Sequence, residues 1–227
     1  MIDRMVFLQR KNTLSIGGFQ KHWRDVHGPL AASVRGLRGY VQLDAIGSGD
    51  GKARRMPGTG LEIDGIALLV FDDIPAIAAG FTPAKVEALV EDEGKFVERL
   101  ELATTVANIV VPASIEAAPI RLLSLNRRRS EVDAATFHAE WWRNGVAFAT
   151  NLPKEVGYIQ RIVIEHSPKG PKSLESQERS FEGVEELSFP DEASFERAHT
   201  SIALRGAQVA GVGDPVLSIV LRGHRIV

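Results

Sequence analysis

Within FQKHWRDVHGPLA, residues 19–31, two histidines stand on a run that reads as one helix. Histidine titrates near neutrality, so His22 or His27 could pass a proton to or from a bound compound. At 100° per residue from Phe19, the side chains of Trp23, Val26 and Leu30 fall within about 40°, an apolar stripe suited to packing on a sheet. His22 and His27 flank that stripe about 140° apart. Each can border a pocket, but they do not form a metal pair, which on a helix wants i, i+3 or i, i+4 spacing. Gly28-Pro29 should end or kink the helix at His27. The ring can then tilt out of the stripe, and a helix C-terminus favours its protonated form. The competing reading is a structural histidine bonded to the backbone at the break.

A second polar set follows on the strand predicted over Tyr40 to Ile46. Tyr40, Gln42 and Asp44 alternate and so share one face, while Val41 and Leu43 share the other. With the apolar alternates against the helices, the polar three would line the interior of a barrel. There a phenol and an amide could donate to an enolate oxygen. Trp142 is a further candidate pocket wall, beside a Trp141 that belongs to the core. Arg54 and Arg55 lie in the Gly-rich loop GSGDGKARRMPGTG, which is no dinucleotide fingerprint because it lacks a strand-turn-helix setting. His138, His166, His199 and His224 show no metal-ligand spacing, so neither metal nor cofactor is expected.

The elements that must position these residues are written twice. Phe19 recurs as Phe137, Trp23 as Trp141, Gly39-Tyr40-Val41-Gln42 as Gly157-Tyr158-Ile159-Gln160, and Gly65-Ile66 as Gly183-Val184, always 118 positions apart. Each unit reads strand, helix, strand, strand, helix, strand. In the first these are Met5–Gln9, a helix capped by Ser15, Tyr40–Ile46, Ile66–Phe71, a helix around Pro83–Leu100, and Val106–Val111. Asp133 offers the equivalent cap in the second unit. PASIEAAP ends the first unit with prolines that strands cannot continue. The division is 1–112, a linker 113–119, and 120–227. The order is the split βαβ, or ferredoxin-like, arrangement, with helices on one sheet face only. The expected fold is α+β, two tandem repeats packing their antiparallel sheets into an intramolecular barrel.

Composition sets the outer bounds. A net charge of −2 over 227 residues gives no basic field for nucleic acid or an anionic membrane. The absence of cysteine excludes disulfides, thiol catalysis and thiolate metal sites, and suits a cytoplasmic protein. The N-terminal apolar stretch is too short for a signal peptide, and no run approaches the ~20 apolar residues of a membrane span.

F-x-x-H-W-x-x-x-H-G-P at 19–29, G-Y-V-Q at 39–42, D-G-I-A at 64–67 and E-D-E-G-K-F-V at 91–97 together resemble the EthD proteins of the dimeric α+β barrel group. The resemblance covers residues 5–111 and, more faintly, 121 onward. It implies the barrel fold, formed here as a pseudo-dimer within one chain that could pair again as a homodimer. It further implies cofactor-free proton chemistry on cyclic or polyketide-like carbonyl compounds, as in methylmuconolactone isomerases and polyketide dehydratases or cyclases. By position His27 and Tyr40 would be the catalytic pair, with His22, Gln42, Asp44 and Trp142 around a small hydrophobic or aromatic substrate. The second unit has Gly145 opposite His27 and Glu140 opposite His22. Leu68 stands where the family often has an acid, which argues against a mechanism needing a carboxylate beside His27. Two rivals stay open: a cofactor-free monooxygenase, and a non-catalytic protein that binds a hydrophobic ligand or assists another enzyme.

Overall fold

The computed structural model describes residues 1–47, 60–169, 181–199 and 211–227. Arg54 and Arg55 lie outside them. Eight antiparallel strands close into one barrel, and helices cover its outside. In the first half the strands are β1 (Ile2–Arg10), β2 (Leu37–Gly47), β3 (Gly65–Phe71) and β4 (Val97–Val111). The second half supplies β5 (Ile120–Arg128), β6 (Gly157–Lys169), β7 (Gly183–Phe189) and β8 (Gly213–Arg225). The halves run β4-β1-β3-β2 and β8-β5-β7-β6, and they join edge to edge through β2 with β8 and β4 with β6. Closure removes the free edges that two open sheets would expose.

The first half carries α1 (Ile16–His22), a π-helical turn (Trp23–His27), α2 (Gly28–Ala32), α3 (Ile74–Gly80) and α4 (Pro83–Phe96). Ser15 Oγ caps α1 by accepting from Gly18 N–H at 3.0 Å. Asp73 and Thr82 cap α3 and α4, each helix with proline in its first turn, where a missing N–H leaves nothing unpaired. In the second half α5 (Ala134–Ala149) is capped by Asp133 and α6 spans Glu192–His199. Sequence periodicity missed α3 and ran α4 four residues too far, because Val97 and Leu100, three apart, keep a helical spacing where the chain has already entered the 15-residue β4.

Met5, Phe7, Leu43, Leu123, Val163 and Ile219 fill the barrel interior from both halves. Leu8, Phe19, Trp23, Tyr40, Leu69 and Phe96 pack in a separate layer between sheet and helices. This inverts the face predicted for β2. Val41 and Leu43 point into the barrel, and Tyr40, Gln42 and Asp44 point toward the helices. A closed barrel wants its apolar alternates inside, and the helix layer here offers polar partners to the others.

Candidate functional site

The helix bearing the two histidines does not stop at Gly28-Pro29. One extra residue is accommodated in the π-turn, whose closing bond runs from Gly28 N–H to the Trp23 carbonyl, and Pro29 enters the first turn of α2 without loss. Gln42 Nε2 donates to the same Trp23 carbonyl at 2.8 Å. The insertion re-registers every side chain after it. Val26, predicted in the apolar stripe, is 49% exposed, and His27 is turned inward and buried. His22 and His27, five positions apart, thereby come to one side of the helix, contrary to the α-helical arithmetic.

What they meet there is Asp92, on α4, with 4% of its surface exposed. His22 Nε2 reaches Asp92 Oδ1 at 3.0 Å, and His27 Nδ1 reaches Oδ2 at 3.0 Å. Lys95 Nζ stands 3.5 Å from Oδ1. Phe96, one turn beyond Asp92, lies against both imidazoles, with ring centres 4.8 Å from His22 and 5.2 Å from His27. Burial opposes ionisation of Asp92, yet the bonds from His27 and His22 outweigh it and hold the carboxyl below its ordinary range. Burial also lowers the His27 pKa, against the pull of Asp92. The expectation that a helix end favours the protonated imidazole does not hold: the helix continues past His27, and burial favours the neutral ring. A carboxylate can only accept, so Nδ1 carries the His27 proton. Nε2 is left with a lone pair and no hydrogen bond among the described residues.

His27 borders a cavity of about 230 Å³ between the outer face of the sheet and the helices, a little under the ~300–1,000 Å³ common for small-molecule sites. Its walls are mainly apolar, Leu8, Leu69, Leu89 and Leu100 among them, and its polar groups are Arg4, His27, Tyr40 and Glu93. Arg4 lays its guanidinium over the Phe81 ring, 4.8 Å from the centre. Burial pushes the Tyr40 phenol up to about 12, so it stays protonated. Gln42 Nε2 donates to the Tyr40 oxygen at 2.9 Å, leaving the hydroxyl proton free to be donated elsewhere.

Of the residues expected at the site, His27 and Tyr40 share this cavity. His22 stands behind Asp92, and Gln42 holds Tyr40 and the π-turn; neither lines the cavity. Asp44 is engaged elsewhere, with Arg24 Nη2 at 2.6 Å and His224 Nε2 at 3.1 Å. Trp142 lies on the exposed side of α5, 36% accessible. Sequence spacing does not point to Asp92, which lies within E-D-E-G-K-F-V. Its acid lies 65 positions from His27, and only the α4–π-turn packing joins them. Leu68 is immaterial to the site, because its position faces the barrel interior.

In the second half Gln160 donates to the Trp141 carbonyl at 2.8 Å, as Gln42 does to that of Trp23, but no π-turn follows the tryptophan. Helix α5 is α-helical throughout, and Trp141 and Gly145 are four residues apart where Trp23 and Gly28 are five. A Cβ on Gly145 would meet the Gln160 amide at 2.3 Å, and one on Gly28 would meet Gln42 Nε2 at 3.2 Å. Gly28, then, is the counterpart of Gly145, and His27 sits in the segment lengthened by the π-turn. Tyr158 Oη and Trp141 Nε1 both donate to Glu185 Oε1, at 2.8 and 3.1 Å. The residue 118 positions before Glu185 is Ala67, a wall of the cavity.

Among the described residues no three His, Asp or Glu side chains form a metal-holding group, and no helix is long and apolar enough to cross a membrane. The fold resembles that of an anthrone oxidase-like protein, with 6% identity, TM-score 0.65, and coverage of 99% of this chain and 92% of that one. A candidate monooxygenase from Fusobacterium nucleatum subsp. nucleatum ATCC 25586 aligns at 9% identity and TM-score 0.59, over 100% and 92% of the two chains. A candidate chlorite dismutase aligns at 12% identity and TM-score 0.53, over 99% and 95%. At such identities the likeness is one of fold. No curated protein matches the sequence. The family model of the EthD domain matches residues 11–100, the span that holds the π-turn, Tyr40 and Asp92, and the chain carries an EthD domain there.

Proposed function

We propose that the chain is a cofactor-independent enzyme, a lyase or dehydratase or an isomerase or cyclase, that moves protons on a cyclic or polyketide-like carbonyl compound. The observation that carries this is the His27 imidazole: Asp92 meets its Nδ1 at 3.0 Å, its Nε2 has no hydrogen bond among the described residues, and the ring borders an apolar cavity shared with Tyr40. Nε2 takes a proton from the carbon beside a carbonyl, and the electron pair moves onto the carbonyl oxygen. Tyr40 O–H and the Arg4 guanidinium stabilise the enolate. Return of the proton at another carbon gives isomerisation, and departure of a β-hydroxyl gives dehydration. His22 acts through Asp92 as a positioning residue. We also read residues 1–112 and 120–227, joined by 113–119, as a duplication in which only the first unit retains chemistry. In this reading no nucleic acid is a partner.

The test is deuterium exchange into a panel of cyclic 1,3-dicarbonyl compounds and unsaturated lactones in heavy water. Exchange should fall by about 10²–10⁴-fold in His27→Ala and by a lesser factor in Tyr40→Phe. Exchange unaltered in His27→Ala refutes the reading. Cofactor-free oxygenation is a second reading, drawn from the anthrone oxidase-like and monooxygenase folds, and it shares the same deprotonation. It predicts oxygen uptake with an aromatic substrate. Tight binding of the panel with no exchange at any pH would favour a purely ligand-binding protein.

A further inference from the structure

The barrel interior holds a second cavity, of about 280 Å³, at the end crossed by residues 113–116. Three elements of its lining matter: an apolar wall of Val41, Leu43, Leu68, Ile115 and Ile159, the guanidinium groups of Arg121 and Arg161, and Arg225 at the rim. Arg121 and Arg161 are more than nine-tenths buried. Arg161 donates Nε to Asp3 Oδ2 at 2.9 Å and Nη1 to Glu186 Oε2 at 2.6 Å. Arg121 donates Nη1 to Glu186 Oε1 and to Ser188 Oγ. Each guanidinium has five N–H donors, and this cluster does not use them all. Arg121 Nε is buried with no acceptor, and the hydrogen bonds of the two side chains run through Arg121 Nη1 and through Arg161 Nε and Nη1. The two guanidiniums balance Asp3 and Glu186, so it is the surplus of directed donors, more than net charge, that the cavity presents. At the rim Arg225 holds Glu116 at 3.1 Å, both exposed, a pair that solvent weakens and that an incoming anion can replace.

We infer that this cavity is a binding site, separate from the one beside His27, for a small monocarboxylate with an apolar tail. The carboxylate lies on the free edges of Arg121 and Arg161, whose planar forks match its two oxygens, and the tail lies along Val41, Leu68 and Ile159. The inference stands independently of the proposed chemistry at His27.

Octanoate is the probe, titrated into labelled protein and followed at the arginine Nε–H resonances by NMR. A saturable shift of the Arg121 signal is expected, with octanol binding at least about tenfold more weakly because it cannot accept both bonds of a guanidinium fork. Arg121→Met should abolish saturation. Should that variant fail to fold, Val41→Phe narrows the apolar wall and leaves every charge in place, and it should weaken octanoate equally. Ala67→Glu fills the cavity beside His27 and should leave octanoate binding unchanged. No saturable shift in the wild type, unchanged binding in Val41→Phe, or loss in Ala67→Glu would each overturn the assignment.

Discussion

Replacing Asp92 by asparagine keeps the shape of the side chain and removes its ability to accept from two imidazoles at once. Asparagine has one carbonyl oxygen and one amide NH₂, and the two positions face His22 Nε2 and His27 Nδ1, both at 3.0 Å in the native chain. With NH₂ toward His27, Nδ1 must accept, the ring proton moves to Nε2, and the base facing the cavity is lost. In Ser-His-Asp enzymes the same exchange lowers kcat about 10⁴-fold by this tautomer switch. Here a loss of about 10²–10⁴ is expected, roughly 3–5 kcal/mol of barrier. Stability falls too. A hydrogen bond to a charged group contributes ~1.5–3 kcal/mol, and asparagine keeps a weaker version of one of the two. The net loss of about 2–3 kcal/mol lowers Tm by about 4–12 °C in a chain of this size. The tautomer can be read without any substrate, by ¹⁵N NMR of histidine-labelled protein. Native His27 should show a protonated Nδ1 and a bare Nε2 and titrate below 6.5, the ordinary histidine value. In Asp92→Asn the proton should sit on Nε2 and the pKa fall further, since the carboxylate that favoured the imidazolium is gone. A native His27 already protonated on Nε2, or a variant with unchanged tautomer and Tm, refutes the reasoning.

The dependence of kcat/KM on pH should be one-sided: the rate rises as His27 loses its proton, below 6.5, and stays level until Tyr40 ionises near 12; a descending limb near neutrality would contradict this. Stability should decline as pH drops below about 6.5, because burial lowers the folded pKa of His27 and the unfolded chain then binds more protons, while the low carboxyl of Asp92 adds a loss at lower pH still. Glu185 has the opposite sign. Burial raises it to about 7 from 4.5, so its contribution erodes as pH climbs between those values, and Glu185→Gln, which keeps an acceptor for Tyr158 and Trp141, should gain on the order of 3 kcal/mol at pH 8 by thermal denaturation. Gly65→Ala and Gly183→Ala should each cost about 1–3 kcal/mol, because a Cβ would fall 2.5 Å from the Trp23 ring and 2.4 Å from that of Trp141; unchanged melting of both would show that the indoles do not lie tight on these strands.

Periodicity was a sound guide to this chain wherever a residue answers to its own neighbours. The N-caps Ser15 and Asp133, the apolar strand Ile66–Phe71 and the core role of Phe19, Trp23, Phe137 and Trp141 follow from local pattern, and the structure shows each, the strand beginning one residue earlier at Gly65. For Tyr40, alternation assigns residues to two faces without saying which is inside. Only the closure of β2 onto β8 settles that. The π-turn was invisible to any rule of 100° per residue, and with it the pairing of His22 and His27. Its one trace in the sequence is the spacing from tryptophan to glycine, five residues from Trp23 and four from Trp141. Asp92 could not be joined to His27 by spacing at all, since their contact is made between two helices.

The comparison between halves also separates scaffold from chemistry, in a direction opposite to first expectation. Tyr and Gln recur in both halves, and in both the glutamine donates to the tryptophan carbonyl at 2.8 Å. Recurrence there reflects a packing requirement and is no argument for catalysis. The argument rests on what differs: the extra residue in the π-turn, Asp92, and Ala67 in place of Glu185. None of the three makes a site alone. Without the extra residue no imidazole is brought inward, without Asp92 its tautomer is free, and with glutamate at position 67 the space beside Tyr40 would be filled, as Glu185 fills that beside Tyr158. Glu185→Ala should therefore open space in the second half and leave Tyr158 without its acceptor. It should produce no deuterium exchange of its own when His27→Ala silences the first half, because α5 lacks the extra residue by which the π-turn brings His27 inward beside Tyr40. Exchange persisting in that double variant would mean that the catalytic base lies elsewhere in the fold.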